Sequence, residues 1–231
     1  MKKIKLKGIT MKQICASDLH LGYEHTNYNK VCKLFDIAES ESDEFILCGD
    51  TFDLWRYPVS KIDKTTMVGF KEVLNLLKEV SKEMTVKIIP GNHDYNLQKV
   101  WKDLRKDYNV EITNNFYQGD IYFTHGWEFD VQQRLGSFAY SWLTNSFPYI
   151  YQRFFKKPSR MGLVRNDIPY EMSVKVHVEA EKFAIKNNLK YVILGHTHIP
   201  IVFNRVVDCG DFVDSCSYIT LEDKEIMLEF I

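Results

Sequence analysis

Five short apolar runs alternate with amphipathic segments along most of this chain, and this alternation restricts its fold more than any other feature. The length and β-branched content of the runs are typical of buried strands. They are residues 12–17, 45–48, 86–89, 121–124 and 191–194. Apolar side chains at the i, i+3, i+4 and i+7 positions, counted from Val31, Phe70 and Leu97, predict three helices between the first four strands. This order predicts an α/β fold in which helices pack on a sheet.

Two stretches depart from this alternation. Beyond His198 the apolar segments are short and separated by turn residues, which predicts antiparallel strands at the end of the chain. Residues 127–170 fit neither pattern and are rich in aromatic side chains, so we predict a helical insertion there. The total of 231 residues suits a single domain, 1–231, that contains this insertion.

Charge and cysteine content disfavour several classes of protein. Lys and Arg number 30 against 31 Asp and Glu, so the formal charge is −1 and no basic field favours a stable nucleic-acid partner. The basic N-terminus lacks the apolar run of a secretory signal, which predicts a cytoplasmic protein. The five cysteines are odd in number and form no CxxC pair, so we expect no disulfide framework. The sequence leaves the oligomeric state open.

The polar residues that follow the five runs carry the chemistry, because each run leads directly into side chains that can bind a metal. In chain order these are Asp18-Leu19-His20, Gly49-Asp50 with Asp53, Gly91-Asn92-His93-Asp94, His125-Gly126 and Gly195-His196-Thr197-His198. Ligands of α/β sheets bind beyond the carboxyl ends of the strands, so we predict that these segments meet at one edge. Each motif alone is weak, since a single Asp-Leu-His is more often a helix cap with a surface histidine.

The combined set of side chains indicates the kind of ion. Residues i and i+2 of an extended segment face the same way, which predicts that Asp18 and His20 reach one ion and that His196 and His198 point into one site. Carboxylate, amide and imidazole ligands without thiolate suit manganese, iron or zinc. Seven candidate ligands are too many for one ion, so we predict two divalent ions that share a bridging carboxylate.

The motifs DxH, GDxxD, GNHD, HG and GHTH together resemble those of the calcineurin-like metallophosphoesterase superfamily, and they occur here in the family's order from Asp18 to His198. The resemblance implies a four-layer α/β/β/α sandwich with a dinuclear site at one edge of two sheets. It also implies two sets of ligands that share Asp50. One ion would be held by Asp18, His20, Asp50 and His198, and the other by Asp50, Asn92, His125 and His196.

The resemblance further implies hydrolysis by a metal-bridged hydroxide, with manganese as the leading metal and iron or zinc as alternatives. His93 would stabilise the transition state or protonate the leaving oxygen, and Asp94 would orient His93; a purely structural hydrogen bond is the alternative for His93. Asp53 would bond a ligand histidine or a loop amide. Arg56 is a candidate contact for a substrate phosphate, although a solvated arginine is the commoner role.

Within the superfamily, GDTFDLW at 49–55, the insertion, and Gly210-Asp211-Phe212-Val213 followed by Cys216-Ser217-Tyr218 resemble the branch that contains UDP-2,3-diacylglucosamine diphosphatase. The bacterial lipid-A enzymes usually carry Arg after the Asn of the third block, whereas this chain has His93. This difference favours a related phosphoesterase over that enzyme itself. The resemblance still implies a phosphoester or pyrophosphate substrate, with a nucleotide-linked lipid or sugar as the favoured class. A soluble phosphodiesterase or nucleotidase remains the alternative.

The insertion bears on this choice, because in that branch it forms a helical lid that receives acyl chains. Here it combines many aromatic side chains with a basic run at 156–165. Such a combination suits peripheral contact with the inner face of a membrane, but the rings serve equally well as the core of the insertion. A non-catalytic metal-bound scaffold is the third hypothesis, and the complete set of ligands disfavours it.

Overall fold

Two β-sheets packed face to face form the centre of this computed structural model, which describes residues 11–55, 57, 62, 67–98, 101, 108–130 and 170–231. The strands in these ranges are β1 Lys12–Ala16, β2 Glu44–Cys48, β3 Thr85–Ile89, β4 Val110–Ile112, β5 Phe116–Gln118, β6 Ile121–Phe123, β7 Tyr191–Leu194, β8 Ile201–Phe203, β9 Val206–Asp208, β10 Ser217–Glu222 and β11 Glu225–Phe230. The helices are α1 Tyr28–Glu41, α2 Val68–Glu83 and α3 Tyr170–Lys186, and Trp127–Phe129 form a short 3-10 helix.

The strand order explains how distant segments reach one edge. In the first sheet the order is β11-β10-β1-β2-β3-β4; β1 to β4 are parallel, and β10 is antiparallel to both of its neighbours, β1 and β11. In the second sheet the order is β5-β6-β7-β9-β8, with β6, β7 and β9 parallel and the two edge strands antiparallel. The parallel strands of each sheet therefore end together, and the five predicted motifs begin at those ends.

Side chains on both faces of the first sheet are buried, which creates the layers. In β1, Ile14 and Ala16 face a core shared with α1 and α2, whereas Cys15 faces the second sheet. On the far side of the second sheet, Ala180 and Ala184 of α3 pack against β7 and β9. The order of layers is thus helices, sheet, sheet, helix, so the predicted α/β/β/α sandwich is confirmed. All five cysteines are free in the structure.

The predicted elements are found with small shifts of their ends. All five predicted strands form, and the helical spacing from Val31 and Phe70 corresponds to α1 and α2, whose buried residues are those of the periodic pattern. The third predicted helix is described only at Leu97, Gln98 and Trp101, which are helical. No helix in the described ranges has the length and apolar character needed to cross a bilayer.

Three elements were not predicted. Strands β4 and β5 have only three residues each, too few for a periodic signal. Helix α3 buries mainly small residues, among them Ser173, Ala180 and Ala184, so its apolar face is weak in sequence. The predicted antiparallel strands after His198 do form two hairpins, but these lie in different sheets, and β9 also pairs parallel with β7. Residues 131–169 of the predicted insertion lie outside the described residues.

We predict that the core between the two sheets is a main source of stability. Ile193 of β7 is fully buried there, so Ile193→Ala should lower the free energy of unfolding by about 2–5 kcal/mol. Ile185→Ala is the matched control, since Ile185 is 60% exposed on α3 and its truncation should change stability by less than about 0.5 kcal/mol. Urea unfolding followed by circular dichroism measures both; equal effects of the two substitutions would contradict the assignment of the core.

Candidate metal centre

The loops that follow the parallel strands are bound to one another by backbone hydrogen bonds. The amide of Asp18, after β1, donates to the carbonyl of Gly49, after β2, at 3.1 Å. The amide of Gly195, after β7, donates to the carbonyl of His125, after β6, at 2.9 Å. The amide of His196 donates to Oδ2 of Asp18 at 2.8 Å and joins the two sheets. The sequence motifs therefore meet at one buried edge, as predicted.

Five of the predicted ligands have left-handed backbone conformations. The φ angles are 55° at Asp18, 47° at His20, 47° at Asp50, 72° at His196 and 57° at His198. The prediction that alternation along an extended segment directs Asp18 and His20 to one ion is wrong in its reason, since neither residue is extended. Such conformations cost of order 1 kcal/mol or more each and persist only where surrounding contacts impose them.

The first group of ligand atoms lies at the spacing that a metal requires. Oδ1 of Asp18 is 3.2 Å from Nε2 of His198 and 3.6 Å from Nε2 of His20, and the two imidazole nitrogens are 3.3 Å apart. Bonds of about 2.0–2.1 Å to a tetrahedral ion place ligands about 3.3 Å apart. Among the described residues, Oδ1 of Asp18 has no hydrogen-bond partner. A divalent ion fits this arrangement.

The second group surrounds Asp50 and His125. Nε2 of His125 lies 3.4 Å from Oδ2 of Asp50 and 3.1 Å from Oδ1 of Asn92. Nδ1 of His125 lies 2.9 Å from the carbonyl of Cys48, and a hydrogen bond to that carbonyl leaves Nε2 to face the site. The clusters able to hold a metal in the described residues include Asp18 with Asp50 and His125. Asp50 thus lies between the two groups.

The ring of His196 faces a carboxylate that no motif marks. Its Nε2 is 3.3 Å from Oδ2 of Asp130, which follows the short 3-10 helix. Its ring centroid is 5.1 Å from that of His125, so the ring borders the second group. Asp130 was missed because it lies within the region predicted as an insertion and belongs to none of the family motifs.

His93 is held between a carboxylate and an aromatic ring. Its Nδ1 lies 3.3 Å from Oδ1 of Asp53, and Trp55 stacks on it with a centroid distance of 3.8 Å and an interplanar angle of 23°. Its Nε2 lies 3.9 Å from Oδ2 of Asp50, which turns this atom toward the centre of the site. Trp55 is the last residue of the GDTFDLW motif at 49–55, but nothing in the sequence indicated that it stacks on His93.

The carboxylate that faces His93 belongs to Asp53, whereas the sequence had predicted Asp94 in this role. Oδ1 of Asp94 accepts the amide of Gly91 at 2.7 Å, and Oδ2 accepts the amide of Phe52 at 3.0 Å. Asp94 therefore connects two ligand-bearing loops to each other.

Oδ2 of Asp53 also lies 3.8 Å from Nδ1 of His20, so Asp53 connects a predicted ligand with His93. Arg56, predicted to contact substrate, lies outside the described residues.

Glycine is required at two of the loop ends for different reasons. Gly49 has a φ of 99°, and a Cβ at this position would also meet the His125 ring. Gly195 has an ordinary backbone, but a Cβ there would meet the side chains of Ser17 and Asp18. The glycines of the motifs therefore permit the close approach of the loops on which the ligand spacing depends.

Comparison with known proteins identifies the family. The model of the family described as "Calcineurin-like phosphoesterase" matches residues 11–200, the part of the chain that contains all five motifs. This chain belongs to the calcineurin-like phosphoesterases. It is thus a phosphoester hydrolase, and its clusters of histidine and aspartate suit divalent metal ions.

Curated relatives cover nearly the whole phosphoesterase chain at low identity. The UDP-2,3-diacylglucosamine hydrolase of Shewanella sp. (strain MR-4) is 23% identical, with 95% of this chain and 97% of that protein aligned. The protein of the same name from Shewanella baltica (strain OS185) is 24% identical with the same coverage. Among solved structures, Yfce, a phosphoesterase from E. coli, is 17% identical, with a TM-score of 0.45 over 94% of this chain and 91% of that chain.

Charges in the phosphoesterase site are strongly coupled to one another. Burial favours the neutral form of Asp50, but the His125 and His93 imidazoles outweigh it and hold the pKa of this carboxyl well below its usual range. Burial alone would lower the pKa of His125, yet the carboxylates of Asp50 and Asp18 raise it to about 10. Burial likewise opposes the charged form of His198, and Asp18 raises its pKa to about 9. In the metal-free site, protonated His125 and His198 therefore supply positive charge beside the carboxylates.

These pKa values predict how the metal-free phosphoesterase responds to pH. Histidines of an unfolded chain titrate near about pH 6.5. Because the folded pKa values of His125 and His198 are higher, their contribution to stability is fully present below about pH 6.5 and is lost as the pH rises through about 9 and about 10. The raised pKa values of the buried thiols of Cys15 and Cys209 act in the same direction.

The urea midpoint of chelator-treated protein should therefore fall between about pH 6.5 and about pH 10. His125→Gln is the matched control, because removal of one titrating group should make this decline shallower. A midpoint that stays constant or rises over this range would contradict the assigned charge coupling.

Proposed function

We propose that the protein is a dinuclear-metal phosphoesterase that hydrolyses a phosphoester or pyrophosphate bond in a nucleotide-linked lipid or sugar. The observation that carries this proposal is the pair of ligand groups on either side of Asp50. Carboxylate, amide and imidazole donors within about 3–4 Å of one another are suited to borderline or hard divalent ions, with manganese as our leading candidate and iron and zinc as alternatives.

The family motifs supply the ligand assignment, and the two groups of side chains support it. Asp18, His20, Asp50 and His198 would hold one ion, and Asp50, Asn92, His125 and His196 would hold the other. When bound, two such ions make a water molecule more acidic and neutralise the charge that develops on the phosphoryl oxygens. Asp50 is central to both tasks, since its two oxygens are fixed by the His93 amide and by the His125 ring.

His93 supplies the proton or hydrogen bond that the reaction needs on the substrate side. Its Nδ1 bonds to Asp53, so its Nε2 is the atom directed into the site. An imidazolium held in this way can donate from Nε2 to a non-bridging oxygen or to the leaving oxygen. Stacking on Trp55 restricts rotation of the ring and keeps Nε2 in that direction. Asp53 acts through His93 and His20, whose rings its two carboxylate oxygens face.

Burial makes each of these groups more effective. Asp18, Asp50, Asn92, His93 and His125 are at most 1% exposed. Electrostatic interactions are stronger in such an environment than in water, and donors that are already oriented need no reorganisation during the reaction. The site can therefore stabilise added negative charge at phosphorus without a nucleophilic side chain.

The substrate class rests on the relatives. Proteins named UDP-2,3-diacylglucosamine hydrolase align with 95% of this chain, which supports a nucleotide-linked acylated sugar as the substrate class. At 23–24% identity the alignment supports the class and not one molecule. A lipid-bearing substrate would also suit peripheral contact at the inner membrane face, which is one of the two alternatives that the sequence leaves open for the insertion.

We expect Asp50→Asn to abolish hydrolysis while the fold is kept, because Asn has the same size but lacks the charge that both ligand groups need. The rate with bis-p-nitrophenyl phosphate and manganese should fall by at least about a hundredfold, the scale for loss of one charge-stabilising group. Asp36→Asn is the matched control, since Asp36 is exposed on α1 and should keep the full rate. Unchanged turnover by Asp50→Asn would refute the two-metal proposal.

The lipid-linked substrate class is tested separately. UDP carrying an acylated sugar in detergent micelles should be hydrolysed with a higher kcat/KM than bis-p-nitrophenyl phosphate or a water-soluble nucleotide diphosphate sugar. A preference for soluble substrates, together with no flotation of the protein with anionic liposomes, would favour a soluble phosphodiesterase. That outcome would overturn the substrate class and leave the metal centre intact.

A further inference from the structure

A second group of polar side chains lies directly behind the turn that carries His196 and His198. Thr197, between these two histidines, donates from Oγ1 to Oδ2 of Asp208 at 2.7 Å. His177 of α3 reaches the same oxygen with Nε2 at 2.9 Å, and this nitrogen is 3.2 Å from Oγ1 of Thr197. The three side chains thus connect α3, the turn after β7 and the end of β9.

Asp208 is a fully buried carboxylate whose oxygens are well supplied with donors. It is 0% exposed, and its Oδ1 accepts the amide of Gly210 at 2.9 Å in addition to the two bonds to Oδ2. A buried carboxylate with three donors has a defined position, because loss of any one donor leaves charge uncompensated in a low-dielectric environment. Asp208 therefore gives Thr197 a fixed anchor.

The turn around Thr197 needs such an anchor. His196 and His198, on either side, have φ angles of 72° and 57°, a strained conformation for residues other than glycine. The amide of Thr197 donates to the carbonyl of Gly195 at 2.8 Å, and its Oγ1 also accepts the amide of Ile199 at 3.2 Å. The hydroxyl of Thr197 consequently fixes the turn from within.

A threonine, a histidine and an aspartate in contact could also form a catalytic triad, with threonine as the nucleophile and histidine as its base. The geometry excludes such a triad here. A catalytic triad uses one imidazole nitrogen for the nucleophile and the other for the carboxylate. Here the same nitrogen, Nε2 of His177, faces both Thr197 and Asp208. Thr197 is moreover only 2% exposed, so its hydroxyl is not accessible to substrate. Any effect of the three residues on His196 and His198 must therefore pass through the backbone of the turn.

We propose that Thr197, Asp208 and His177 form a positioning network that directs the imidazoles of His196 and His198 and thereby sets the affinity and geometry of the metal site. This inference rests on the proposed function, since it assigns the network to the ligands of both proposed ions. It also gives α3, which follows directly on residues 131–169, a connection to the metal ligands through His177.

Thr197→Val tests the proposal, because valine keeps the shape of threonine and removes the hydroxyl. The dissociation constants for Co²⁺ and Mn²⁺ should rise by about 10- to 100-fold, the usual effect of losing a group that orients a ligand. The visible absorption of Co²⁺-loaded protein, which reports coordination geometry, should change as well. Thr197→Ser retains the hydroxyl and should restore both the affinity and the spectrum.

His177→Ala tests the same network at a residue that is less buried than Thr197, so the substitution disturbs the core less. Its side chain is 15% exposed, and its loss removes one donor to Asp208 without opening the core. Metal affinity should fall in the same direction as for Thr197→Val. His25→Ala is the control, since His25 is exposed and lies outside the network.

The outcomes separate this inference from the proposed function. If the unaltered protein binds no metal and hydrolyses no phosphoester, the proposed function fails. If the unaltered protein binds metal while Thr197→Val and His177→Ala keep its affinity and Co²⁺ spectrum, the network has no positioning role and the inference is overturned. If Thr197→Val does not fold, the result for His177→Ala decides.

Discussion

The rest of the structure depends on the interaction of one buried carboxylate, that of Asp50, with the imidazoles around it. One of its oxygens accepts the amide of His93, and the other faces Nε2 of His125. An isolated ionised carboxylate in an apolar interior costs many kcal/mol, so its position is tolerable only with compensating positive charge. In the absence of metal, His125 and His198 supply that charge, because their raised pKa values keep them protonated. The two cations of the proposed metal centre would supply it more completely, and this need connects the fold with its proposed chemistry.

The two sheets provide the rigid support for this concentration of charge. Apolar side chains on both faces of β1, β2 and β3 fix the strands between layers, so the polar residues begin only where the strands end. The loops there have little freedom, because they adopt left-handed conformations and bond to one another. Strain at the ligands is therefore balanced by packing elsewhere, as expected of a functional site. The network behind Thr197 extends this support to α3.

Much of this arrangement could be predicted from the sequence, because local patterns encode it. The apolar runs gave the five motif-bearing strands, and their polar endings gave the position of the site. Features that depend on tertiary contacts were not accessible in this way. The left-handed conformations of Asp18 and His20 arise from hydrogen bonds between loops. Whether Asp53 or Asp94 faces His93 depends on how two loops pack, and the distance in sequence between His177 and Asp208 hides their contact.

In the proposed centre, two divalent ions share Asp50 at the edge of the sheets. Anomalous diffraction from crystals soaked in Mn²⁺, with data collected at the manganese absorption edge, tests it most directly. We expect two peaks about 3.5–4 Å apart, both in contact with the Asp50 carboxylate, one beside Asp18 and His198 and the other beside His125 and Asn92. A single peak, or peaks that do not contact Asp50, would contradict it.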